Sequence, residues 1–323
     1  MDNYRYTPLQ SDEIRLVELL PGEFDDPIVV ELSHETLLGS ESPKYEALSY
    51  VWGSRVDSQD MQIRGTWTTV DDSDDDVIDP LENLGGLDLG SEQVAPNRLS
   101  VTQNLETALR YLRTTDASRI LWIDAICIDQ SNLEERSAEV LRMGDIYKWA
   151  WRVIICLGAG NYVTHSAMKL MMYIAGHVEC DFRINQLTYS GDSEEEITKR
   201  FNNWFTSSDS AEQREGVKDL LSRPWFRRLW IWQELCQARE AVVICGHDEI
   251  DWQALSKAVA CINHQIRNNI VRDPSQKDSV APFKELTRQT LLLINGAAHM
   301  EKYGYGDFLT LLNTTRQASC EDP

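Results

Sequence analysis

Three short runs constrain this chain more than any other feature: RILWIDAICID (119–129), RVIICLG (152–158) and AVVICG (241–246). Each is nearly continuous in apolar side chains, which suits a strand buried on both faces rather than one with a wet side. A helical pattern follows the first and the last. NLEERSAEVLRMGDIYKWAW (132–151) puts Val140, Met143, Ile146, Tyr147 and Ala150 on one stripe, and DWQALSKAVACINHQI (251–266) starts on an acidic cap. Upstream, YEALSYVWG (45–53) reads as a buried strand opening into a loop at Gly53. VTQNLETALRYLR (101–113) reads as a helix with Thr102 as its cap. Strand, helix, strand, helix with short apolar strands predicts an α/β fold, a parallel sheet flanked by helices.

Two stretches interrupt that alternation. Residues 68–96 hold an Asp run, Gly-Gly and few large apolar side chains, so they predict a solvated, mobile acidic insertion. Residues 160–218 are too long for a loop and predict an added helical subdomain, and 281–316 read as a C-terminal helical segment. The expected organisation is one domain over 1–323, with core blocks at 45–67, 97–158 and 219–266.

The net charge of −21 includes nine acids in the 68–96 insertion, leaving about −12 on the rest, a surface that disfavours nucleic acid and anionic membranes as partners. The first residues, MDNYRYTPLQSDEIR, carry neither a basic leader nor an apolar run. No stretch approaches the ~20 apolar residues of a membrane span, so no membrane insertion and a cytoplasmic location are expected. Seven scattered cysteines without CxxC spacing or a neighbouring His cluster predict reduced thiols and no metal site.

The segment RPWFRRLWIWQEL (223–235) crowds aromatics and arginines around a single carboxylate, Glu234. Treated as one helix over 223–238, it sets Trp225, Leu229, Trp232 and Cys236 on a core face and Arg223, Arg227, Trp230, Glu234 and Gln237 on the other. Arg227 then lies about 10 Å from Glu234 along the axis, a gap that a polar ligand can fill. The alternative is that Glu234 pairs with an arginine from elsewhere and only satisfies a buried site. Loops at the carboxyl ends of parallel strands nominate further ligand contacts: Trp52, Gly53 and Ser54 after the first strand, and Asp124, Asp129 and Gln130 at the end of the second. Asp124 equally suits a turn-bonding carboxylate, and Glu135 a solvated face. GAGNYV (158–163) is a weak dinucleotide fingerprint, because Val163 replaces the third small residue. Cys127 has no His nearby to activate it, and Ser49 and Ser54 lack a nucleophile elbow.

YEALSYVWG (45–53), LWIDAICIDQSNLEERSAEVLRMGDIYKWA (121–150) and RPWFRRLWIWQEL (223–235) together resemble the three signature blocks of the fungal heterokaryon incompatibility (HET) domain. Asp129 stands where that family more often has Asn and Glu139 where it often has Gln. The ending TTRQASCEDP resembles the start of a segment that runs on in the family, so the chain is expected to be a fragment of a longer protein. The resemblance implies a role in nonself recognition that ends in cell death, and a distant similarity to the Toll/interleukin-1 receptor (TIR) domain. A TIR-like, flavodoxin-like core is therefore expected. In TIR domains that cleave NAD+, the catalytic glutamate follows a Trp and precedes an aliphatic residue, which corresponds here to Trp230, Glu234 and Leu235. On that likeness Glu234 is the catalytic carboxylate, NAD+ is a substrate rather than a cofactor, and Arg227 and Arg136 are candidates to hold its polar groups. Self-association and an upstream nonself sensor are the implied partners. The competing expectation is a death-signalling interaction module without catalysis.

Overall fold

A computed structural model describes residues 4–37, 43–64, 97–184, 186–191, 194–228, 230–235, 238–272 and 277–303. The acidic insertion at 68–96 and the part of the C-terminal helical segment beyond 303 lie outside the described residues. The chain begins with β1 (Glu13–Leu19), β2 (Val29–Thr36), β3 (Glu46–Tyr50), β4 (Ser58–Arg64) and β5 (Asn97–Thr102). It continues through α1 (Gln103–Leu112), β6 (Arg119–Trp122), the single turn α2 (Asp124–Cys127), α3 (Leu133–Trp149) and β7 (Arg152–Cys156). The added subdomain comprises α4 (Tyr162–Ala175), the hairpin β8 (Val178–Asp181) and β9 (Gln186–Tyr189), α5 (Glu194–Thr206) and α6 (Ala211–Ser222). Then come α7 (Ile231–Leu235), β10 (Ala241–Cys245), β11 (Asp248–Asp251), α8 (Trp252–Arg272) and α9 (Lys277–Tyr303).

Nine strands form one mixed sheet in the order β11-β10-β7-β3-β6-β1-β2-β4-β5. Its parallel centre is made of the four apolar runs: β3 pairs with β6 and β7, and β7 with β10. Numbered along the chain, those four strands lie second, first, third, fourth, which is the flavodoxin-like order. The apolar pattern does not predict the flanks. β1 lies antiparallel to β6 and β2, and β4 and β5 extend that edge. In β3 all five residues are buried, including the polar Glu46 and Ser49. Glu46 accepts from Arg119 Nε at 2.7 Å and Arg152 Nε at 2.6 Å, so one carboxylate ties together the amino ends of three adjacent parallel strands.

Thr102 caps α1 by accepting from Leu105 N, and Leu105, Ala108, Leu109 and Leu112 turn to the core. Asn132 caps α3, whose Met143, Ile146 and Tyr147 are buried. Two expected elements differ. The apolar run from 119 stops being a strand at Trp122, where Cys127 N donates back to Ile123 O at 2.7 Å and closes a helical turn that opens with Asp124. The tryptophan-rich segment is not one helix. Pro224–Arg227 form a 3-10 turn, Arg228 is extended (φ −69°, ψ 144°), and α7 begins at Ile231. Glu135, expected on a solvated face, is instead paired with the fully buried Arg15 of β1 and accepts Asp129 N at 2.8 Å.

Candidate functional site

The carboxyl ends of β3 and β6, the start of α3 and the broken 223–235 segment meet at one cavity of about 180 Å³. Trp52, Asp124, Gln130, Arg136, Arg228 and Trp230 supply its polar and aromatic wall, and Ile128, Val140 and Met143 its apolar part. Each arrives for a local reason. Trp52 follows the last residues of β3 and is 7% exposed, and its Nε1–H donates to Asp124 Oδ2 at 2.9 Å. Asp124 sits where the β6 run bends, and Gln130 Nε2–H donates back to the Asp124 carbonyl at 2.8 Å, closing the loop around it. Arg136 and Val140 lie one turn apart on α3, so one side of that helix faces the cavity. Arg136 makes no ion pair with any described residue.

Behind this wall is a buried polar cluster. Arg228 donates through Nη1 to Glu234 Oε2 and through Nη2 to Glu234 Oε1, both at 3.2 Å, in a two-pronged pair. The side chains of that pair are 7% and 1% exposed. Ser49 Oγ–H donates to Glu234 Oε2, and Trp225 Nε1–H donates to Ser49 Oγ at 2.6 Å. Glu234 is therefore held by Ser49 and Arg228, and the described cavity wall does not include it. Tyr147, whose hydroxyl donates to Leu48 O at 2.9 Å, is pushed far up by burial, with the charges of Glu234 and Asp124 adding to the effect.

Asp124 is the carboxylate that faces the cavity. Burial pushes it up to about 6, against the pull of the Arg228 guanidinium and with the Glu234 charge adding to the rise. At neutral pH it is ionised by roughly ten to one, and small changes around it shift that balance. An anionic carboxylate, the guanidinium of Arg136 and two indoles around one space suit a ligand that carries a flat cationic ring and an anionic group.

The remaining nominated residues fall outside this wall. Arg227 is exposed and is not part of the cavity wall, while its neighbour Arg228, turned inward at the break, pairs directly with Glu234 rather than leaving a ligand-sized gap. Gly53 (φ 76°) and Ser54 form the exposed turn after Trp52, with Ser54 Oγ accepting Val56 N. Asp129 accepts Ser131 N at 3.0 Å and orders the approach to α3. The sequence pattern does not single out Ser49, Trp225 and Arg228 as ligand or site residues, although a serine in an otherwise buried strand is a usable signal. The GAGNYV turn is no phosphate cradle. Asn161 accepts both Val163 N and Thr164 N, and a Cβ on Gly160 would stand 2.7 Å from Cys245 O, so that glycine serves backbone packing. Cys127 is buried and pushed up to about 12 by that burial, which suits an inert thiol. Among the described residues no group of three or more His, Cys, Asp or Glu could hold a metal ion, and no helix is long and apolar enough to cross a membrane.

The profile of the family described as "Heterokaryon incompatibility protein (HET)" matches residues 45–234, more than half of the chain, and its span runs from β3 to Glu234. Heterokaryon incompatibility protein 6, OR allele, of Neurospora crassa is 26% identical over 271 residues, 78% of this chain. The matched region is 36% of that relative's length, so the chain spans a minor part of it. No solved structure matches the chain.

Proposed function

We propose, because this chain belongs to the heterokaryon incompatibility (HET) family, that it is the effector module of a fungal nonself-recognition protein and that its cavity cleaves NAD+ when copies assemble. One observation carries the reading. Three separated sequence segments, all within the family's span, converge on one cavity backed by two buried carboxylates and an arginine.

The chemistry follows from those groups. The cavity is smaller than the ~300 Å³ usual for a drug-sized ligand, so it takes one end of the dinucleotide. The cationic nicotinamide ring lies against Trp52 and Trp230, and Arg136 meets the pyrophosphate. Nicotinamide departs as a neutral base, so no strong general acid is needed. The C1′–N bond breaks with its electron pair going to the ring nitrogen, and the carboxylate charge stabilises the oxocarbenium-like sugar until water adds and loses a proton. Glu234 is the catalytic carboxylate in this reading, and Asp124 orients the ribose from the wall. Glu234 acts once Arg228 exchanges it for a substrate phosphate.

A second reading is favoured by a specific observation: Glu234 is 1% exposed and already accepts from Ser49 and Arg228, as a structural ion pair does. There the module recruits partners and has no turnover of its own. Nicotinamide release by concentrated or artificially clustered protein separates the two. Turnover in the wild type that is lost in a folded Glu234→Gln variant supports catalysis. Absence of turnover in both, with cell death still triggered by both, supports the recruiting module.

A further inference from the structure

Helix α3 carries a second face that neither the core nor the cavity uses. Its exposed residues are Leu133, Glu134, Ser137, Ala138, Leu141, Asp145 and Lys148, which share one arc of the helix. Leu141 is 87% exposed and Leu133 65%. At 100° per residue, Glu134, Leu141 and Lys148 lie almost on one line, seven residues apart. The cavity residues Arg136, Val140 and Met143 point more than a quarter turn away from Leu141, the centre of that line. A partner can therefore cover this face without closing the cavity.

We infer that this face binds the same face of a second copy of the chain, with the two α3 helices antiparallel across a two-fold axis at Leu141. The charge order selects that occupant and that direction. Residues 134 and 148 are equally spaced about 141, so antiparallel pairing sets Glu134 against Lys148 of the second copy at both ends. Parallel pairing sets like charges together at Glu134, Asp145 and Lys148 and is disfavoured. Neither Glu134 nor Lys148 has an ion pair with a described residue of its own chain. Beside Leu141, Ser137 and Ala138 of one helix meet Gly144 and Asp145 of the other, small enough side chains for close approach. The acidic amino end of each helix also meets the basic carboxyl end of its neighbour, the favourable alignment of helix dipoles. A single helix crossing buries less than the ~1,200 Å² of a standard interface, so the association is weak and concentration-dependent.

This inference rests only on the self-association part of the reading above, and its test reads mass rather than turnover. Sedimentation equilibrium of the full chain over a range of concentrations shows a monomer–dimer equilibrium. Leu141→Glu and Glu134→Lys each weaken it by about ten-fold or more, and Glu134→Lys combined with Lys148→Glu restores it. Leu141→Cys gives a disulfide-linked dimer on mild oxidation, since the two sulfurs meet at the axis. A wild type that stays monomeric at the highest concentration reached, or a Leu141→Glu variant that dimerises as the wild type does, overturns the inference. So does a double charge swap that fails to recover what the single swap lost. These positions are exposed, so each variant is expected to fold, and circular dichroism checks it.

Discussion

At the scale of single residues, the centre of this molecule is an arrangement of two carboxylates around one arginine. Glu234 is fully committed to Arg228 and Ser49, whereas Asp124 is bonded by Trp52 and Ala125 N and still faces the cavity. Removing the Glu234 charge takes from the buried Arg228 the partner of its two-pronged pair. Glu234→Gln is expected to cost on the order of 3 kcal/mol in urea unfolding, and joining Glu234→Leu to Arg228→Met recovers most of what either loses alone. Asp124 gives the opposite pH response to an ordinary carboxylate. Its folded value, about 6, lies above the usual 3.8, so its contribution to stability is fully present below pH 3.8 and is lost as pH rises through 6. Across that window the wild type loses up to roughly 3 kcal/mol relative to Asp124→Asn, which paired unfolding curves at pH 4 and pH 7 measure. If Asp124 acts as an anion on the ribose, turnover also falls as the pH drops below 6.

At the scale of elements, the sequence shows the parallel centre plainly and the site only in part. β3, β6, β7 and β10 are legible because strands buried on both faces are nearly all apolar. β1, β2, β4 and β5 are not. They mix polar and apolar residues, and the fully buried Arg15 of β1 is neutralised by Glu135, 120 positions away. Glu234, Trp52, Asp124, Gln130, Arg136 and Trp230 could be read from the sequence as candidates, but the identity of the paired arginine could not. Pro224 fits the first turn of a helix as well as a 3-10 turn, so the chain gives no warning of the extended residue at Arg228 that brings its guanidinium to Glu234. Helix contacts in the added subdomain are sharper. A Cβ on Gly216 of α6 would lie 2.0 Å from Val163 O of α4, so Gly216→Ala forces the two helices apart and is expected to lower stability by about 1–3 kcal/mol in a thermal or urea series.

At the scale of the whole molecule, the sheet joins a mixed flank of β1, β2, β4 and β5 to a parallel centre, and the cavity lies at the carboxyl ends of β3 and β6. The acidic insertion connects the ends of β4 and β5, where Ile63 is already paired with Asn97. Replacing 65–96 with a short Asn-Gly turn is thus expected to leave the unfolding midpoint nearly unchanged, and a large drop on a thermal melt would show that the insertion packs on the fold. What the molecule does as a unit depends on whether its cavity receives NAD+. The most direct measurement is a structure of the assembled protein with an NAD+ analogue whose cleavable glycosidic bond has been made inert. The account predicts the nicotinamide end in the cavity between Trp52 and Trp230, a phosphate on Arg136, and Arg228 moved off Glu234. An analogue that binds elsewhere, or an assembled protein that does not bind it at millimolar concentration, contradicts the account and leaves a recruiting module with a structural ion pair at its centre.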